Sequence, residues 1–278
     1  MPDRAIVAYY ETVADKIVPF LRGRRVGVRH TFDHTAVFRR HPTSLLQQLR
    51  RTSPAARGSW PESNWIYIPN RRTLLEIVRQ HGYEFFPHLE GENDVWFALD
   101  IDVRTVPVRL GAIVVRTALN ILTERKVQYL LTFSGGNGFH VRWSFTPSEV
   151  PPKKWQFFRA IVRALREETE RRLQESPHRT AFYRHIPRGD PITELNAMDR
   201  AAQRSILFDE LILKPQATIR APFSLHMKHR WTTIPLTPKN LDRFVPARDA
   251  TMAKAGAHAP VRLPKNPMAL FRRPPWNL

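Results

Sequence analysis

An apolar strand that ends in two acids constrains this chain more than any other feature. In Phe97-Ala98-Leu99-Asp100-Ile101-Asp102, alternate residues of an extended segment share a face, so Asp100 and Asp102 point one way while Phe97, Leu99 and Ile101 point the other. Two carboxylates on one face repel. Their presence at the end of a hydrophobic strand suits a divalent cation between them, because hard cations such as magnesium or manganese take oxygen ligands. An exposed strand end whose aspartates cap a following turn would produce the same pattern.

A second segment bears on that choice. The apolar run from Val127 to Phe133 leads into Ser134-Gly135-Gly136-Asn137-Gly138, and a new strand follows, Phe139-His140-Val141-Arg142-Trp143. Glycines permit positive φ and let backbone amides approach an anion. Ser134, Gly135, Asn137 and His140 together suit a triphosphate. Taken alone, His140 also reads as a core histidine and the turn as an ordinary turn; the pairing with the acidic strand carries the weight.

The order strand-Asp-x-Asp, helix, strand-Ser-Gly-Gly-x-Gly-x-His-strand resembles the archaeo-eukaryotic primase superfamily of nucleotidyltransferases, and most closely the polymerase domain of bacterial and archaeal end-joining DNA ligases. In that superfamily a later aspartate completes the metal site. Against the end-joining domains, Phe208-Asp209 followed by Ala221-Pro222-Phe223-Ser224 matches at the same spacing, which makes Asp209 the third ligand. Against archaeal primase small subunits, Arg220 through Ser224-Leu225-His226-Met227-Lys228 matches a Ser-Leu-His-x-Lys run, but the aspartate would fall on Lys214, which cannot serve. Asp209 is therefore the expected ligand, and Arg220, Ser224, His226 and Lys228 are expected triphosphate contacts. The opening, Val7-Ala8-Tyr9-Tyr10-Glu11 through Leu21-Arg22-Gly23-Arg24, and the later Ile234-Pro235-Leu236-Thr237 and Pro274-Pro275-Trp276 are also similar to the end-joining domains. Two departures stand out: His226, where those domains usually carry arginine, and a divergent stretch from Ser176 to Arg200.

The resemblance implies an α/β fold of two packed sheets with flanking helices around a central cleft, with residues 1–278 as a single catalytic domain. It implies template-directed nucleotidyl transfer to a 3′-hydroxyl, catalysed by two magnesium or manganese ions on Asp100, Asp102 and Asp209. Gap filling or end joining in DNA repair is the expected role, and de novo primer synthesis the alternative. A metal-dependent nuclease and a noncatalytic nucleic-acid-binding protein are the rivals from other classes. Expected partners are template-primer DNA with a downstream 5′-phosphate, nucleoside triphosphates, a ligase and end-binding repair proteins.

Charge supports a polyanionic partner independently. Lys and Arg number 44 against 25 Asp and Glu, a formal net charge of +19, and such a field concentrates nucleic acid at the surface. Between Phe20 and Gly58 nine arginines face Asp33 alone. Their planar forks suit bidentate phosphate contact, so Arg22, Arg24, Arg25, Arg29, Arg39 and Arg40 are expected DNA contacts. The stretch 251–278 carries Lys254, Arg262, Lys265, Arg272 and Arg273 with no acid and reads as a basic tail. With no cysteine, disulfides and cysteine-ligated zinc are excluded, and no zinc is expected. No apolar run approaches the roughly 20 residues needed to span a bilayer, so no membrane is expected. The first residues enter a charged amphipathic pattern rather than an export signal, so the cytoplasm is the expected location.

Periodicity predicts helices over Arg4–Leu21, Arg71–His81 behind an Asn70 cap, Val106–Thr123 and Pro151–Glu175. It predicts strands near Val26–Thr31, Ala36–Arg39, Trp65–Pro69, Ile206–Glu210, Ala217–Ala221 and Thr232–Leu236. Pro42–Trp60 and Gly256–Leu278 read as loop or tail.

Overall fold

The computed structural model describes residues 3–32, 35–37, 66–103, 106–195 and 205–271. Helix α1 (Arg4–Leu21) starts where Asp3 accepts hydrogen bonds from the amides of Ala5 and Ile6 at 3.0 and 3.3 Å, satisfying donors that a helix start leaves orphaned. Ile6, Tyr10, Val13, Ile17 and Leu21 recur at helical spacing and are buried. Helix α2 (Arg71–Arg79), capped by Asn70 as expected, packs against it.

The strands are β1 (Arg24–Phe32), β2 (Thr35–Val37), β3 (Gly82–Gly91), β4 (Val95–Asp102), β5 (Leu130–Phe133), β6 (Gly138–Phe145), β7 (Thr193–Glu194), β8 (Ile206–Asp209), β9 (Leu225–His226), β10 (Trp231–Thr232) and β11 (Pro235–Leu236). One wing of the sheet runs β2-β1-β3 and the other β4-β6-β5-β11. The wings are joined in register only where Glu90 of β3 meets Val95 of β4. Beyond that pair they diverge. The edge that β4 thereby exposes takes β8, with Asp100 opposite Asp209, and β7 lies parallel to β8. Strands β9 and β10 form a separate small sheet. The α/β class, the cleft and the flanking helices are those the resemblance implies, realised as one curled sheet with two diverging wings plus the small one.

Helices α3 (Val108–Glu124) and α4 (Lys154–Gln174) pack together. Phe158 of α4 meets Phe97 at 5.6 Å and Phe145 at 5.5 Å, so the apolar face of β4 is covered. Trp143 stacks on Phe97 at 4.0 Å. The opposite face of β4 is thereby left to Asp100 and Asp102.

Several expectations need correction. Strand β3 was not predicted, because Pro87 and the charged Glu84, His88 and Glu90 interrupt its alternation; the structure pairs it with β1 over most of its length. Residues 217–221 are extended beside β3, bonding through Leu89 N to Ala217 O and Ala221 N to Phe85 O, without becoming a regular strand. The long helix starts at Lys154, after Pro151-Pro152. The basic stretch is no free tail as far as residue 271: α8 (Met252–Ala257) follows the short helices α5 (Arg179–Phe182), α6 (Pro238–Leu241) and α7 (Pro246–Asp249), and the buried Phe271 stacks on Trp143 at 5.5 Å. Residues 272–278, and Pro42–Trp60, lie outside the described residues. No helix among those described is long and apolar enough to cross a membrane.

Candidate active site

Where the wings part, β4 has β6 on one side and β8 on the other. Asp100 is opposite His140 in the first ladder and opposite Asp209 in the second. Directly opposed residues in antiparallel strands lie on one face, about 5 Å apart, so Asp209, Asp100 and His140 form a row across three strands. Asp102 is two residues further on the same face, opposite Gly138. A Cβ on Gly138 would come within 2.3 Å of the Ile101 carbonyl oxygen, so only glycine lets the turn close onto the acidic strand. Gly135 holds φ +79°, the left-handed region that glycine enters without strain.

Burial and the neighbouring carboxylates of Asp209 and Asp102 push the Asp100 carboxyl up to about 7. Burial, with the adjacent Arg142 and Arg220, keeps His140 well below its ordinary value and hence neutral. The fully buried Arg142 donates to His140 Nδ1 at 2.5 Å. An arginine has only protons to give, so Nδ1 is the acceptor and Nε2 carries the hydrogen, 3.5 Å from Asp100 Oδ1.

The facing wall is cationic. Glu84 of β3, wholly buried, accepts from Arg220 at 2.8 Å, from Arg29 at 3.3 Å and from the Met227 amide at 3.0 Å. Burial opposes its charge, but these partners outweigh it and hold Glu84 below the usual carboxylate range. Arg220 also donates to the Ser134 carbonyl at 2.8 Å, tying this wall to the glycine turn. The β9–β10 hairpin adds His226, Lys228 and His229. Burial and Arg220 lower His226 to about 4, and its buried Nδ1 has no hydrogen-bond partner among the described residues. The loop before β9 is anchored from α1, where Tyr9 donates to the Phe223 carbonyl at 2.7 Å and the Tyr10 hydroxyl accepts from Leu225 N at 3.0 Å.

A cleft of about 860 Å³ brings Asp100, Asp102, Ser134, Asn137, His140, Arg220, His226, Lys228 and Arg29 together. Asp209 stands beside it, 5% exposed, with one carboxylate oxygen accepting from Leu211 N at 2.8 Å. Among the described residues no three histidine, aspartate or glutamate side chains are grouped closely enough to enclose an ion as they stand. The Ser134 hydroxyl accepts from the amides of Gly136 and Gly138 at 3.2 and 3.1 Å. Those amides are therefore spent on the turn, while the Ser134 O–H proton is left to give.

Other expected residues are placed elsewhere. Ser224 is wholly buried and its hydroxyl accepts from Phe85 N at 2.8 Å, so it holds the loop to β3 and does not reach the cleft. Gly135 packs behind His226. Arg24 is 3% exposed, paired with Asp94, bonded to the His88 carbonyl and stacked 3.7 Å over Trp96; it is a core residue, not a DNA contact. Arg22 donates to the Pro69 carbonyl and Arg25 lines a small separate pocket near Glu92, both at the far end of β1 from Arg29. Arg39 and Arg40 lie outside the described residues. Glu84, Arg142 and His229 were missed. An acid inside the apolar run Tyr83-Glu84-Phe85-Phe86 was the available signal for the first.

A family model, described as the LigD primase-polymerase domain, matches residues 4–262. The chain belongs to the LigD primase-polymerase domain family. Among solved structures it is similar to the polymerase domain of Mycobacterium tuberculosis ligase D in complex with DNA, at 17% identity and a TM-score of 0.64, over 90% of this chain and 86% of that one. At that identity the likeness speaks to the fold. Among curated proteins none matches. Membership in the LigD primase-polymerase family is consistent with a nucleotidyltransferase of DNA end-joining repair.

Proposed function

We propose that residues 1–278 act as one catalytic unit that transfers a nucleotide from a nucleoside triphosphate to the 3′-hydroxyl of a DNA primer under template direction, in gap filling during end joining. The observation that carries this reading is the row Asp209–Asp100–His140, of which Asp100 and His140 line a cleft whose facing wall is cationic and Asp209 stands beside it. A nuclease could use the same carboxylates but would need no triphosphate pocket, so nucleotide binding in the absence of DNA separates the two. The DNA in the Mycobacterium tuberculosis relative supports DNA as the partner here, and a ligase with end-binding proteins fits the family.

The donor set fits hard divalent ions. Asp100, Asp102 and Asp209 offer only oxygen, and Asp100 is raised first by burial and then by the carboxylates of Asp209 and Asp102, against which Arg142 and Arg220 act only in part. Magnesium or manganese ions on these residues would activate the 3′-hydroxyl and neutralise charge on the transferred phosphate. His140, locked by Arg142 with its Nε2 proton toward the acidic row, donates to a phosphate oxygen. Ser134 gives its free hydroxyl proton to the same group. Lys228 and His226 hold the outer phosphates, while Arg220 is spent on Glu84 and the Ser134 carbonyl and fixes the wall.

Primer extension with purified protein on a bare single strand, a primed template and a gapped duplex tests the proposal. Extension of the primed and gapped substrates, lost in Asp209→Ala, is expected. Degradation of the DNA without nucleotide addition would overturn it.

A further inference from the structure

Past the end of α4 the chain makes a series of tight turns before it enters β7. Phe182 and Ile186 are buried, and the bonds from Tyr183 N to Arg179 O at 3.3 Å and from Ile186 N to Phe182 O at 3.0 Å close the turns around them. The segment is tied to α4 twice. The Tyr183 hydroxyl accepts from Gln174 Nε2 at 2.9 Å, and Glu170 accepts from the amides of Ile192 and Thr193 and from the Thr193 hydroxyl at 3.0, 2.8 and 2.7 Å. With the apolar side chains turned inward, Arg179, Thr180, Tyr183, Arg184, Arg188 and Gly189 line a pocket of about 460 Å³ on the outside.

Three guanidinium groups share that pocket, and among the described residues none of them pairs with a carboxylate. Acids stand close by, yet they serve α4 itself: Glu168 and Glu175 each hold Arg171 at 2.8 Å, Glu124 holds Arg172 at 2.6 Å and Glu210 holds Arg163 at 2.8 Å. Arg179 lies 5.7 Å from the Tyr183 ring centroid, a cation–π contact that orients it without neutralising it. Like charges gathered in one place repel, and an anion between them relieves the repulsion. Planar arginine forks match the paired oxygens of a phosphate diester.

The pocket shares no lining residue with the cleft, but its distance from the acidic row is bounded. Arg188 precedes Thr193 by five residues, Thr193 is paired with Ile206 of β8, and the next residue of β8, Leu207, is opposite Asp102. Along that path Arg188 is at most about 30 Å from Asp102, less than the roughly 34 Å of one duplex turn.

We propose that this pocket is a second phosphate site, outside the cleft, which takes the backbone of the DNA duplex whose primer end lies at the acids. Such a contact adds affinity and fixes the position of the duplex without reading its sequence. The proposal rests on DNA as the partner, given above. The other source of the same chemistry is the phosphate of a free nucleotide.

The test uses the full chain and a labelled gapped duplex with arms of about 20 base pairs, two helical turns, whose anisotropy is followed at several salt concentrations. Wild type is compared with the combined Arg179→Ala, Arg184→Ala, Arg188→Ala variant and with a charge-matched control, Arg4→Ala, Lys239→Ala, Arg262→Ala. All these side chains are exposed, and circular dichroism checks the folds. The pocket variant should bind DNA more weakly by about fivefold or more, and its log–log salt slope should fall by about 2, since each duplex phosphate contact contributes about 0.9. The control should change little in either, and the nucleotide KM of the pocket variant at saturating DNA should be that of wild type. Equal DNA affinity and slope in the pocket variant and the control would overturn the proposal. A raised nucleotide KM with DNA binding intact would also overturn it and assign the pocket to a free nucleotide. Loss of DNA affinity confined to the pocket variant, with no nucleotide addition by wild type, would count against nucleotidyl transfer and leave the phosphate site standing.

Discussion

Asp100 and Asp209, more than a hundred residues apart in sequence, are directly opposed in the ladder between β4 and β8. Their opposition exists because β4 leaves β3 after one pair, Glu90 with Val95, and offers a free edge at the level of Asp100. The carboxylates are thus brought together by backbone hydrogen bonds rather than by any attraction of their own, and their mutual repulsion is what a bound cation would relieve.

Replacing Asp209 with alanine should lower nucleotide addition by about three orders of magnitude or more, as should Asp100→Ala and Asp102→Ala, since groups that act as a unit fail as one. Because Asp209 also accepts from Leu211 N, circular dichroism and DNA affinity should be measured alongside. Near-normal extension by a folded Asp209→Ala protein would remove it from the site.

The Asp100 carboxyl, at about 7 in the folded protein, lies above the roughly 3.9 of an aspartate in an unfolded chain. Between those values the folded state holds a proton that the unfolded state has released. Metal-free stability should therefore fall as pH rises from about 4 to about 7 and level off above. Melting curves in chelator should show this, and Asp100→Asn should flatten the dependence and raise Tm at pH 8. Added magnesium or manganese should raise the wild-type Tm at pH 8 more than that of the variant.

Arg24 and Arg25 are neighbours with different fates. Arg24→Ala removes a buried guanidinium from Asp94, the His88 carbonyl and the Trp96 face, and should cost about 2–3 kcal/mol, the low end for breaking a buried pair because Asp94 is one third exposed. Denaturant titration measures it. If gap filling is stimulated by a downstream 5′-phosphate, charge reversal at Arg25 should weaken that stimulation without the stability loss. A stable Arg24→Ala protein would contradict the core role.

Changing His226 and Lys228 together to alanine should raise the nucleotide KM several-fold, with kcat and DNA affinity less affected. Because His226 titrates near 4, it is neutral from pH 6 to 9 and should impose no pH dependence on KM in that range. Unchanged nucleotide kinetics in the double variant would make the hairpin an ordinary basic turn.

The sequence carried the class of fold through its family resemblance, and through local pattern the strand, turn and helix that frame the candidate site. The period-two alternation around Asp100 and Asp102, the glycine turn and the helical spacing of Phe158, Ile161, Leu165 and Leu173 are local signals, set by backbone geometry within a few residues, and the structure reproduces each. Asp209 was reachable only through the family resemblance, since nothing local marks an aspartate at a strand end as a partner for another strand. What tertiary structure decided is which charged residues are spent. Arg24 and Arg29 read alike in the sequence, yet one is sealed in the core with Asp94 and the other faces the cleft on Glu84. Ser134 and Ser224 read alike, yet one lines the cleft and the other is consumed by the Phe85 amide. Burial and hydrogen-bond satisfaction depend on which distant strand arrives beside a residue, and composition and spacing do not encode that arrival.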